Sequence, residues 1–458
     1  METAGKKQGE PVFRLQSSVR GEIEWLLMCC DSEDRHGHLS AVIAQLLDKM
    51  PRARLLIACG KRAFAMALHA RLSAQPFRLS PVIVEDKSGW AEPNRCCLLA
   101  PMEEDESYKF EVHARDSFHV LHTADDGPHI LLSEHGKQDR YDTMLADFLL
   151  KRMEETGFGQ PGFIRKEERL ALMVQGGNLL CDAGCLFVGV VQLTATPGGE
   201  TALLDFANGG EQRDIWKKVV VVGKQVAPKI RSSLLKLYAS AGALNRSELL
   251  HLFKLSDTLF LREIWADCEA PAHKGDVLPL HIDYFMTLTG VETDGPAPRP
   301  VVFVAKISNS LGLKDCAGGS LRKFVDRLNR RLDRVERQLK NAGFEVIRNQ
   351  IPLVEWATEE GYRKVVPFPF NNCLVEVAQA GRVRTAYMAR ASTGQPLGAG
   401  EQKKLRVMEE AWAAQWMHPS LGFEVRFIEA NFFPFALGFS SLHCITKELS
   451  RYTDTSLT

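Results

Sequence analysis

The sequence predicts a mixed α/β protein, and three observations carry that prediction. Short stretches rich in Val, Ile and Leu alternate with stretches of helical period along nearly the whole chain. The 458 residues hold 45% hydrophobic and 25% charged side chains, an ordinary globular composition. A strand–helix–strand order also recurs in the C-terminal third, with the same four-residue word at matching joints.

Taken in order, Ile23–Cys29 reads as a strand, Leu39–Met50 as a helix, Arg54–Cys59 as a strand and Arg62–Ser73 as a helix. Leu79–Glu85 reads as another strand, and residues 86–108, polar and broken by Pro93 and Pro101, as a long connection. Strands follow near Val112–Leu121 and His129–Leu132, then a helix Tyr141–Glu155 that Gly157 ends. Leu170–Leu180 and Leu186–Leu193 form an expected hairpin about Asp182–Gly184, since Asp and Gly adopt turn conformations cheaply. Asn245 with Glu248 three residues on reads as a capped helix start, and Leu259–Trp265 as a strand. In the last third, Leu321, Phe324, Val325, Leu328, Leu332, Val335 and Leu339 recur at helical spacing, and Gly343-Phe344-Glu345-Val346 follows. A second helix, Glu401–Met417, leads to Gly422-Phe423-Glu424-Val425. Strands precede each helix: Val301–Ile307 in one case, Cys373–Val377 and Val383–Met388 in the other.

Composition excludes several classes. Lys plus Arg and Asp plus Glu both number 57, so the net charge is zero, whereas a nucleic-acid partner favours a pI above about 9. The basic stripe Arg322, Lys323, Arg327, Arg330, Arg331, Arg334, Arg337 and Lys340 is interleaved with Asp326, Asp333 and Glu336 and reads as a solvated face. Apolar runs such as Val219–Val222 fall far short of the ~20 residues a membrane span needs. The first residues lack an apolar signal core, so a cytoplasmic location is expected. Eleven scattered Cys without a CxxC pair read mostly as buried thiols. Cys181 with Cys185, the pair His36/His38 and five histidines between 113 and 135 show no recognised zinc spacing. No dinucleotide or P-loop glycine motif follows a strand, so no metal or cofactor is expected.

Three distant segments carry chemistry: His113-Ala114-Arg115-Asp116 before an apolar stretch, His281-Ile282-Asp283, and Leu442-His443-Cys444-Ile445-Thr446. If His281 and Asp283 lie on a strand, they project from one face. Two carboxylates can hold a guanidinium fork bidentately. A thiolate can then attack its carbon while a histidine protonates the departing amine and later activates water.

The order Arg115-Asp116, Gly176-Gly177-Asn178, His281-x-Asp283 and His443-Cys444-x-Thr446 resembles the guanidino-group-modifying superfamily. That superfamily comprises agmatine, arginine and peptidylarginine deiminases and amidinotransferases. The resemblance implies the pentein fold, a five-bladed α/β propeller of pseudosymmetric ββαβ units, here as one catalytic domain over 21–458 after a flexible tail at 1–20. It implies Cys444 as nucleophile, His281 as general acid/base, and Asp116 and Asp283 as catalytic and guanidinium-binding acids. Asn178, Gly177 and Arg115 would line the substrate pocket, with Trp265 on the strand before the histidine. The sequence departs from relatives at His113, where many carry Trp, at Gln175, where Glu is common, and at Ser440-Ser441, where Gly-Gly is common. Asp125-Asp126-Gly127-Pro128 is a rival for the first acid. The expected activity is a deiminase releasing ammonia and a ureido product, with an amidinotransferase or a non-catalytic binding protein as alternatives. The expected partner is a small guanidino compound or a peptidyl arginine, with no nucleic acid and no membrane; a homo-oligomer is left open.

Overall fold

The computed structural model describes residues 12–30, 37–75, 80–91, 94–110, 112–122, 129–131, 140–157, 163–164, 177, 179–182, 185–189, 218–222, 244–245, 281–313, 320–341, 343–357, 363–378, 383–393, 398–437 and 441–452. The chain is mixed α/β, with five sheets among these residues.

One pairing pattern recurs in all five sheets. Strand β1 (Glu22–Cys30) is followed by helix α1 (His38–Lys49) and pairs parallel with β2 (Arg54–Cys59). Strand β3 (His119–His122) pairs antiparallel with β4 (His129–Leu131), and helix α2 (Arg140–Thr156) leads to β5 (Phe163–Ile164), parallel to β4. Strand β6 (Leu179–Asp182) pairs antiparallel with β7 (Cys185–Gly189), which pairs parallel with β8 (Lys218–Val222). Strands β9 (Met286–Glu292) and β10 (Pro300–Ser308) repeat this with helix α3 (Ser320–Asn341) and parallel β11 (Glu345–Ala357). Strands β12 (Leu374–Ala378) and β13 (Val383–Ala389) do so with α4 (Ala399–Trp416) and β14 (Glu424–Ile428). The first unit is completed from the far end of the chain, where β15 (Thr446–Tyr452) pairs antiparallel with β1.

The repeated word has a physical role at both joints. Gly343 (φ 86°) and Gly422 (φ 65°) take the left-handed conformation that glycine adopts freely after a helix. The following Phe344 and Phe423 are buried, and Glu345 and Glu424 open the parallel strands. Helix α3 buries Leu328, Leu332, Val335 and Leu339 while Arg322, Lys323, Arg330, Arg337 and Lys340 face solvent. Trp416 packs edge-on to Phe423 (ring centroids 4.7 Å) and against Phe303 (4.7 Å), joining α4 to the neighbouring unit's β10.

Several expectations are corrected. Residues 86–108 are no plain connection: Lys87–Trp90 forms a 3₁₀ turn and Cys96–Leu99 a fully buried strand parallel to β2. The run Cys96-Cys97-Leu98-Leu99 is apolar on both faces, as a strand covered on both sides requires. Leu244–Asn245 is a short strand paired with Val12–Phe13, and the helix expected after Asn245 lies outside the described residues. The expected tail 1–20 holds a strand, Val12–Leu15, which also pairs with β3. The Leu259–Trp265 strand, with Trp265, lies outside the described residues.

A buried arginine stitches three of these segments. Arg451 Nη1 donates to the carbonyls of Gly21 and Val375 (both 2.9 Å), and Nη2 to Ser18 O and Glu448 Oε1 (both 3.0 Å). Replacing Arg451 with Met orphans these acceptors and should lower stability in a denaturant titration by about 3–5 kcal/mol. A loss below about 1 kcal/mol, the worth of a surface pair, would contradict this role for Arg451.

Candidate active site

The five repeats each carry a short approach to their first strand. Asp116 lies three residues before β3, Gly177 two before β6, Asp283 three before β9, Asn372 two before β12 and Cys444 two before β15. Each is thus at the N-terminal end of its unit's first strand, and hydrogen bonds join them. Gly177 N donates to Asp116 Oδ1 (3.0 Å). Asn372 Nδ2 donates to Asp283 Oδ2 (3.0 Å) and to Cys444 Sγ (2.9 Å). Cys444 Sγ lies 3.4 Å from Asp283 Oδ2.

Local structure differs from expectation at two segments. His281 and Asp283 are not on a strand: Ile282–Tyr284 is a 3₁₀ turn with His281 at its N-cap. The turn still directs both side chains to one place, because ligand atoms of His281, Asp283 and Cys444 all lie within 4.8 Å of one another. Asp116 sits on the 3₁₀ turn Ala114–Ser117 rather than on a strand. His281 Nδ1 is 3.8 Å from Asp116 Oδ2. Side-chain exposure is 17% for His281, against 8% for Asp116 and 2% for Asp283, so the cluster is reached from the imidazole side.

Gly177 is a matter of space. A Cβ there would stand 2.5 Å from His281 Nδ1 and 2.9 Å from Asp283 Oδ1, closer than any side chain tolerates. Asn178, Gly176, Gln175, Ser440 and the rival Asp125-Asp126 lie outside the described residues. Ser441 has φ −150°, extended backbone that any residue adopts, and its N–H donates to Asn372 Oδ1 (3.1 Å).

Arg115 is corrected from ligand-binding residue to strut. Its buried guanidinium donates to His443 O (2.7 Å) and pairs with Glu448, so the fork is already occupied. Burial opposes ionisation of Glu448, but Arg115, Arg451 and His443 outweigh it and hold the carboxyl far below its usual range. Lys447, whose Nζ donates to Arg115 O (3.2 Å), is driven by burial and by Arg115 down to about 7.

Two site residues were given no role from sequence, His443 standing only as part of the His443-Cys444 motif and Asn372 not at all. His443 Nδ1 lies 2.7 Å from Asp283 Oδ2; burial, then Arg115, lower its pKa, so a neutral ring donates from Nδ1. Asn372 is 1% exposed and touches both sulfur and carboxylate. The signal available was position: an Asn pair immediately before an apolar strand, where the other units carry their reactive residues.

Electrostatics divide the two acids. Burial raises the pKa of Asp116, but His281, His113, the Gly177 N–H and Lys447 together outweigh it and lower the pKa. Asp283 Oδ2 is occupied by Asn372, His443 and Cys444, whereas buried Oδ1 has no hydrogen-bond partner among the described residues. Burial, then Asp283, then Asp116 push the Cys444 thiol well above its ordinary value. The group His281, Asp283 and Cys444 also has the donor types of a metal site, with one imidazole, one carboxylate and one thiol.

No model of a known protein family matches the sequence, and no curated protein matches it. Among the solved structures that match, a C. jejuni agmatine deiminase carrying a cysteine-to-serine change with substrate bound is similar at 12% identity. The match covers 97% of this chain and 98% of that one, with a TM-score of 0.48. A likeness this distant assigns neither family nor activity.

The raised thiol pKa has a direct consequence. At pH 7 less of Cys444 is thiolate than of a free cysteine, so iodoacetamide should label it more than roughly tenfold more slowly. Its rate, read by peptide mass, should still be climbing through pH 9, above the ordinary thiol value. Labelling as fast as free cysteine, or a plateau below about pH 8.5, would contradict the carboxylate field around the sulfur.

Proposed function

We propose that the chain is a cysteine hydrolase acting on a guanidino or amidino cation, releasing ammonia and leaving a ureido product. The observation that carries this reading is the buried Asp283 Oδ1, without a hydrogen-bond partner among the described residues, in the same cluster as the Cys444 thiol. A buried carboxylate oxygen without a donor is costly, and a planar cation with several N–H groups supplies donors and charge together. Asp116, the second acid, neighbours His281 and the Gly177 amide. The five repeated strand patterns, with the chain's two ends meeting in one sheet, are read as five ββαβ units set around a ring, a pentein-type propeller.

On this reading the cation cancels the field that keeps Cys444 protonated. The thiol proton passes to His281, and the thiolate forms a C–S bond at the guanidinium carbon. His281 returns the proton to one departing nitrogen; the C–N bond breaks and ammonia leaves. His281 then takes a proton from water, whose oxygen attacks the same carbon. As the C–S bond breaks, the added hydroxyl loses its proton to solvent and becomes the ureido carbonyl, and the departing thiolate takes back the proton held by His281, restoring the resting thiol. Gly177 leaves room for the His281 ring throughout.

A panel of arginine, agmatine and arginyl peptides, assayed for ureido product with and without amine acceptors, tests the class. Ureido product that needs no amine supports a hydrolase; product only with an amine would make the chain a transferase. Cys444→Ala should abolish turnover while guanidino binding by calorimetry survives, and equal loss of both would contradict a nucleophilic role. A haloacetamidine, which carries the substrate's charge, should label Cys444 faster than a neutral reagent after correction for intrinsic reactivity. Gly177→Ala should cut kcat/KM at least about 100-fold by displacing His281, with folding retained by circular dichroism. An unchanged kcat/KM would show that the close approach is not needed.

A further inference from the structure

We infer that Asn372 is a catalytic residue, whose side-chain N–H holds the Cys444 sulfur and stabilises its negative charge during attack and again during departure. This rests on the reading of Cys444 as nucleophile. The amide is fixed by its surroundings. Oδ1 accepts from the backbone N–H groups of Ser441 (3.1 Å) and Cys444 (3.0 Å), so Nδ2 must be the side turned to sulfur and carboxylate. From there Nδ2 donates to Cys444 Sγ at 2.9 Å and to Asp283 Oδ2 at 3.0 Å. The Asn372 carbonyl also accepts from His443 N (3.3 Å), so one residue frames the whole cysteine turn.

A donor to sulfur acts differently along the reaction. Thiol and thioether sulfurs are weak acceptors, whereas a thiolate accepts strongly, because hydrogen bonds to ionised groups are the strong ones. The Asn372 N–H therefore favours the states in which sulfur carries charge: just before the C–S bond forms, and as that bond breaks when water has attacked. It also opposes the two carboxylates, which disfavour the thiolate in the empty site. The amide nitrogen stands closer to the sulfur, at 2.9 Å, than the Asp283 oxygen does at 3.4 Å.

The test compares Asn372→Ala and Asn372→Asp with the unaltered protein, using iodoacetamide alone at about pH 8.5. Aspartate keeps the oxygen that accepts the two backbone N–H groups and removes the amide donor, but sets a further acid in its place; alanine removes both and adds no charge, so slowing in both variants is required. A rise of about one unit in thiol pKa, offset by greater nucleophilicity, should slow Cys444 labelling at least roughly three- to fourfold in both variants. If Asn372→Asp labels like the unaltered protein, Asn372 acts only as a brace through Oδ1 and the inference is overturned, whatever alanine does. If alanine fails to fold, Asn372→Ser, which also removes the amide donor without adding charge, takes its place. Because no guanidino compound is present, the result stands apart from the substrate reading: slowed labelling in variants of a protein that turns over no guanidino compound would sink only the latter.

Discussion

One carboxylate organises this site. Asp283 Oδ2 receives Asn372, His443 and Cys444, which come from two segments at least 89 residues away in sequence. Taking a carboxylate out of water costs on the order of several kcal/mol unless donors replace the lost hydration. Three donors on one oxygen do that, and they leave the other oxygen unmatched. The same contacts fix the cysteine turn and aim the His443 ring. The buried Arg115–Glu448–Arg451 chain lies behind them and holds the His443 carbonyl in place.

The topology explains how residues so far apart in sequence meet. Each unit begins with a strand whose N-terminal approach carries a residue of the cluster, or, in the third, the glycine that makes room for it. Contacts between first strands, such as β9 with β6 and β9 with β12, bring those approaches together. Short turns at these approaches, the 3₁₀ turns at Ala114–Ser117 and Ile282–Tyr284 and the turn Leu442–Ile445, point side chains across the junctions. The sheets supply rigidity and the turns supply chemistry, the usual division between scaffold and loop.

Much of this was legible in the sequence because apolar periodicity survives in it. The limits of Arg54–Cys59 and Arg62–Ser73 could be read directly, and the Gly-Phe-Glu-Val echo marked equivalent joints between helix and parallel strand. The buried strand Cys96–Leu99 was hidden because a run of four apolar residues carries no period. The three reactive segments stood out by residue type, but type does not reveal direction. Arg115 beside Asp116 looked like a ligand and is a strut, because its partner Glu448 lies 333 residues away. Asn372 gave no signal of its own and His443 only its place in the His443-Cys444 motif; their roles follow from what the repeated units set beside them.

The most direct measurement is the intact mass of the protein quenched in acid during turnover of a guanidino compound. A mass increase equal to the amidino-bearing group is expected, confined to the peptide containing Cys444 and absent from Cys444→Ser. Ureido product formed with no adduct at any quench time, or an adduct on another residue, would contradict Cys444 as the nucleophile.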